Sequence, residues 1–179
     1  MQLRSKAGLS DDLHRATLGL LTLLVAFCSL VYELIFSQAL TVLFGQTVTR
    51  YSMTIGLYLF SLGIGAFLFS RVARGNAERT FYVVELALCA IGPLGVVGMF
   101  YVNSTSSATL LSPGGQTFLL ILSHVPVVVV GLLSGLELPL LTALFPGRES
   151  AFYRVLGWDY FGSLLGGLLW ALWLYPRHG

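Results

Sequence analysis

Residues 117–145 read TFLLILSHVPVVVVGLLSGLELPLLTALF, and Glu137 is the single charged side chain in the run. About 20 consecutive apolar residues cross the roughly 30 Å hydrocarbon core of a bilayer as a helix. This run exceeds that and holds Pro126 and Pro139, so a kinked or strongly tilted helix would use the extra length. Similar apolar runs lie on either side of it: Thr17–Phe36, Tyr51–Phe69, Phe81–Val102 (with Pro93 as a kink) and Val155–Tyr175. Hydrophobic residues make up 56% of the 179 and charged residues 10%, and the mean hydropathy is +0.83. A soluble domain carries about 25% charged residues. The expected fold is therefore all-α, a polytopic transmembrane helix bundle of about five spans.

The pattern divides the chain into a cytoplasmic N-terminal tail (1–16), a transmembrane helical domain (17–175) and a short C-terminal tail (176–179). Ser10, followed by Asp11 and Asp12, suits the start of a short interfacial helix in the first tail. Ser37–Phe44 either prolongs the first span or lies as a separate interfacial piece, since Gly45 allows a break. Arg71–Arg79 and Asn103–Gln116 read as loops, and Pro146-Gly147 ends the fourth span. The first apolar run is too long for the core of a cleavable signal and lacks a small-residue cleavage site, so it reads as the first membrane helix. Arg4, Lys6, Arg15, Arg71, Arg74, Arg79, Arg148 and Arg154 fall on one side of such a bundle; Arg50 and Arg177 fall on the other. That asymmetry predicts a cytoplasmic N-terminus, in a membrane expected to be the bacterial inner membrane. The lipid bilayer is the first partner implied, and Trp170, Trp173 and Tyr175 suit an interfacial aromatic belt.

Cys28 and Cys89 have no metal-ligand spacing and are expected as small buried hydrophobes. No metal site, cofactor or basic aromatic patch for nucleic acid is predicted. His124 reads as a satisfied bundle histidine. Gly131 and Gly135, and Gly162 and Gly166, stand four apart, a spacing that lets helix backbones approach closely. Packing within the bundle is the first expectation, homodimerisation the alternative.

Four acids lie inside apolar runs: Glu33, Glu85, Glu137 and Asp159. An ionisable group at membrane depth costs about 2.5–3.5 kcal/mol on insertion scales and usually faces a partner, a cavity or a pathway. Glu33 and Glu137 are the principal candidates for a pocket holding a cation, a proton or an amine. Tyr32 is a neutral hydrogen-bonding partner and Asp159 a further acid. Each acid could equally lock the bundle by bonding a neighbouring helix. Pro139 has no amide hydrogen, which leaves the Gly135 carbonyl without its usual partner; Gly135 and Pro139 are expected to break the helix beside Glu137. On the predicted orientation Glu85, Glu137 and Asp159 lie nearer the inner face and Glu33 nearer the outer.

Phe27-Cys28-Ser29-Leu30-Val31-Tyr32-Glu33-Leu34-Ile35 followed by Phe44-Gly45 resembles the first span of the membrane domain of spermidine-synthase-like (polyamine aminopropyltransferase-like) integral membrane proteins. Gly56 with Gly63-x-Gly65, Gly135-Leu136-Glu137-Leu138-Pro139-Leu140, and Asp159-Tyr160-Phe161-Gly162-Ser163-Leu164-Leu165-Gly166-Gly167 fit its later helices. The resemblance runs over about residues 20–170. It implies binding or passage of a small cationic solute, a polyamine, with Glu33 and Glu137 as amine acceptors. In that family the membrane domain commonly precedes a cytosolic aminopropyltransferase-like domain. The glycine-rich turn of that domain has no counterpart here, so the chain is expected not to be an enzyme itself. The alternative is an accessory subunit packed against partner helices, or one that serves a separate aminopropyltransferase-like chain.

Overall fold

A computed structural model describes residues 2–45, 47–72, 76–106, 112–145 and 148–178. The order is α1 (Gln2–Phe44), α2 (Thr47–Val72), α3 (Ala77–Thr105), α4 (Pro113–Leu144) and α5 (Arg148–Leu169); a π-helical turn (Trp170–Leu174) then leads into α6 (Tyr175–His178). Among the described residues, five helices are long and apolar enough to cross a membrane.

The helix ends follow local chemistry. Asn76, extended at φ −152° and ψ 108°, accepts from the amides of Glu78 at 3.0 Å and Arg79 at 3.3 Å; it supplies an N-cap for α3. Ser112 accepts from the Gly115 amide at 3.1 Å, and Pro113 opens α4, where a missing amide costs nothing. At the far end of α1, Gly45 takes φ 70° and its amide meets the Thr41 carbonyl at 2.8 Å, a left-handed helix stop.

Some boundaries differ from the sequence expectation, and one open alternative is decided. α1 is helical from Gln2, so residues 2–16 are continuous with the first span and Ser10 starts no helix of its own. No proline lies between them, and helix formers carry the ladder through. Ser37–Phe44 prolongs the same helix. Residues 175–178 are helical as well. The stop expected at Pro146-Gly147, Arg74 within the 71–79 loop, and the middle of the 103–116 loop (107–111) lie outside the described residues.

The break expected at Gly135 and Pro139 is absent: α4 is one α-helix through both Pro126 and Pro139. One lost hydrogen bond in a long helix is tolerated when neighbouring helices hold the segment, and α2 and α3 both do so here. Gly135 serves close approach instead. A Cβ built on it would collide with the Leu62 carbonyl, and one on Gly65 would collide with the Leu132 carbonyl. The α1–α5 crossing has the same character, with Gly162 against the Leu23 carbonyl and Gly166 against Phe27. Gly131 lies 2.9 Å, by its built Cβ, from the Tyr58 carbonyl.

α4 is the central helix: half of its apolar stretch is buried, against 17–33% in the others. Phe36, Leu40, Tyr58, Val127, Val130, Leu140 and Val155 form the middle of the core. The outside is apolar too; Phe67 is 86% and Leu172 75% exposed, while Glu33, Glu137, Ser134 and Tyr58 are inside. That inversion suits a lipid solvent. It also corrects the expectation for the cysteines, since Cys28 and Cys89 are free and exposed. A thiol facing an apolar solvent gains little from burial.

Candidate functional site

Glu137 sits on the inward face of α4 and is 6% exposed. It lies seven residues before Leu144, about 10 Å of helix at 1.5 Å per residue. Glu85 from α3 and Asp159 from α5 are the acids close enough to act on it electrostatically. Glu85 is eight residues past Ala77 and Asp159 eleven past Arg148, roughly 12 Å and 16 Å from their helix starts. These three helix ends belong to the same side of the bundle, so the three carboxyl groups share a level. Both Glu85 and Asp159 are half-buried, and Oε1 of Glu85 is enclosed without a hydrogen-bond partner.

Tyr32, one residue before Glu33 on α1, lies deeper in the bundle than these three acids but within electrostatic reach of Glu85 and Glu137. Its ring lies across Gly92 of α3, 2.5 Å from a Cβ built there, and Glu85, Glu137, Cys28 and Cys89 are its ionisable neighbours. Glu33 is set apart. It is 7% exposed on α1, about 16 Å of helix before Phe44, and its neighbours are Tyr51 and Tyr58 of α2. The structure thus brings Glu137 together with Asp159 and Glu85, puts Tyr32 within reach of Glu85 and Glu137, and leaves Glu33 on a second level.

Among the described residues, no lysine, arginine or histidine acts on any of these four acids. Arg50 is at the opposite helix end from the Glu137 level, and its Nε is enclosed without a partner. Nor does any group of three or more His, Cys, Asp or Glu among the described residues stand close enough to hold one metal ion. An acid so placed is accommodated with a proton or with a bound cation beside it.

Tyr58 of α2, 1% exposed, is within electrostatic reach of both Glu137 and Glu33. Its hydroxyl is 2.9 Å from Ser29 Oγ and donates to the Ser29 carbonyl at 3.2 Å. Ser134 Oγ faces the same hydroxyl but is left without a hydrogen bond. The sequence reading missed Tyr58, Ser29 and Ser134. A signal was present: Ser29 stands four residues before Glu33 and Ser134 three before Glu137, so each serine shares its acid's helix face. His124 is partly satisfied, with Nδ1 2.7 Å from the Leu120 carbonyl and Nε2 without a partner.

Two cavities lie away from these acids. A groove of about 510 Å³ runs between Ile35, Gln38 and Val42 of α1, Val96 and Phe100 of α3, and Trp170. Another, of about 380 Å³, lies among His14, Thr17, Glu78 and Tyr82. Neither is lined by Glu33, Glu137 or Asp159.

No family model and no solved structure matches the chain. It is similar to the polyamine aminopropyltransferase of Leptospira interrogans, 35% identical over 161 residues, 88% of this chain and 30% of that protein. Polyamine aminopropyltransferase 2 of Ralstonia nicotianae is 34% identical over 168 residues, covering 92% of the chain and 31% of the relative. The corresponding protein of Mycobacterium tuberculosis is 32% identical over 164 residues, covering 86% and 29%. The chain therefore spans about 30% of the length of the curated relatives it matches. Similarity over about nine-tenths of the chain is what a stretch of a spermidine-synthase-like protein would show. The expectation that the chain is not an enzyme is overturned, because relatives 34–35% identical to it carry an enzyme's name. That expectation rested on the glycine-rich turn of a soluble domain, and apolar helices cannot report on it.

Proposed function

We propose that this chain is the membrane-spanning portion of a polyamine aminopropyltransferase-like protein of the bacterial inner membrane, and that it binds or passes a small cationic solute of the polyamine class. Glu137 and Asp159, with Glu85 at the same level and Tyr32 beside them, would receive the ammonium groups. Glu33 would offer a second carboxylate further across the bilayer. The aminopropyl transfer named in the relatives would be the activity that this membrane portion serves.

One observation carries the reading. Three helices each bring a carboxyl group to one level, with Glu85 and Asp159 both within electrostatic reach of Glu137 and no basic side chain among the described residues acting on any of them. Acids too spread to chelate one metal ion suit a ligand whose positive charges are spaced along a carbon chain, each ammonium taking its own charged acceptor. The test is equilibrium binding of radiolabelled spermidine and putrescine to the purified chain in lipid nanodiscs. Saturable binding, displaced by unlabelled polyamine and absent from empty nanodiscs, is expected. Failure to bind either amine would remove the solute reading.

A second reading, an accessory subunit seated against partner helices, is favoured by the apolar groove between α1 and α3 beside Trp170. Mass spectrometry of what co-purifies from native membranes in mild detergent distinguishes it: a stoichiometric partner supports the subunit, and its absence opposes it.

A further inference from the structure

Two groups of interior hydroxyls contrast with each other. Those of Thr22, Ser37, Thr54, Ser61 and Thr142 close on the carbonyl four residues back in their own helix. The hydroxyls of Tyr58, Ser29 and Ser134 meet across three helices instead. Tyr58 Oη holds Ser29 Oγ at 2.9 Å. Ser134, 4% exposed, turns an unpartnered Oγ toward that same hydroxyl. Tyr58 is within electrostatic reach of both Glu33 and Glu137.

We infer that Glu137, Ser134, Tyr58, Ser29 and Glu33 form one polar thread that relays protons between the two carboxylate levels. Each serine stands one turn from its acid, where side chains are about 5–6 Å apart at Cβ, a gap that one rotamer change or one water closes. In a transfer, the Glu137 acid gives its proton to the Ser134 oxygen. Ser134 passes its own hydrogen to Tyr58, Tyr58 passes its own to Ser29, and Ser29 protonates the Glu33 carboxylate. One proton has moved, Glu137 has become the carboxylate, and all three hydroxyls are neutral again. The remaining ionisable groups around the thread are Tyr51 of α2 at the Glu33 end, and Glu85, Asp159, Cys28 and Tyr32 at the Glu137 end. All are acidic or neutral, so no fixed cation among them blocks a proton. Close packing does not oppose the relay either: carboxyl chains carry protons through membrane interiors in pumps and transporters.

The test is proton flux into vesicles that contain the reconstituted chain and an internal pH-sensitive dye, driven by a valinomycin-clamped potassium potential. The wild type is expected to acidify the lumen at least tenfold faster than empty vesicles. Tyr58→Phe, which keeps the ring and removes the hydroxyl, is expected to bring the rate down to background. Should Tyr58→Phe not purify as a folded helical protein, Ser134→Ala takes its place with the same expectation. Wild-type flux equal to that of empty vesicles, or flux that survives in the folded variant, overturns the relay. Spermidine binding is measured on the same preparations. Binding without flux removes the relay and leaves the solute reading standing; flux without binding does the reverse.

Discussion

At Glu137 the cost and the use of one side chain are set against each other. A carboxyl group 6% exposed inside α4, with no cation acting on it among the described residues, contributes nothing to packing that leucine would not do better. Glu137→Leu should therefore melt at or above the wild-type temperature in detergent while it loses polyamine binding, the trade expected of a functional residue. A large fall in melting temperature would instead assign Glu137 a bundle-locking role. Tyr58→Phe loses its hydroxyl bonds to Ser29 and should cost about 1 kcal/mol in unfolding measurements, the net worth of a typical buried hydrogen bond. Glu33, Glu137 and Asp159 are legible in the sequence because an acid within an apolar run is conspicuous. Which acids meet is not, because that depends on the rotation and depth of separate helices; Glu85 joins Glu137 only once α3 is docked.

Helix packing here turns on a few close crossings. Gly135→Ala would drive a methyl group into the Leu62 carbonyl, separate α2 from α4 and lower the melting temperature sharply. Gly63→Ala, with nothing within 4 Å, should leave it unchanged or raise it, since alanine is favoured over glycine in helices by up to roughly 1 kcal/mol. Equal melting of the two variants would mean that the α2–α4 crossing is not close. Asn76→Ala removes the cap of α3 and should cost about 1 kcal/mol. The spans were readable from apolar length alone. The unbroken course of α4 through Pro139 was not, since whether a proline breaks a helix depends on what packs around it. The same holds for the continuity of residues 2–16 with α1, because a polar surface gives a sequence reader no reason to extend a membrane helix.

For the whole molecule, five helices long enough to cross a membrane would put the two ends of the bundle on opposite sides of it, and we propose from the arginine asymmetry that the first is inside. A reporter fused before residue 1 should thus be active in the cytoplasm and one fused after residue 179 outside it. Cys28 and Cys89, exposed on helix flanks, should resist a water-soluble maleimide until the bilayer is dissolved. Rapid labelling in intact vesicles would contradict a lipid-facing surface. Under the proposed function, the carboxylate level around Glu137 would give the bundle a role beyond spanning. Spermidine titrations of Glu137→Gln and of wild type in the same nanodiscs test that most directly. The account predicts saturable wild-type binding that Glu137→Gln weakens at least tenfold, about 1.4 kcal/mol, with helicity and melting preserved. Equal affinity in the two folded proteins, or no binding in either, would contradict it.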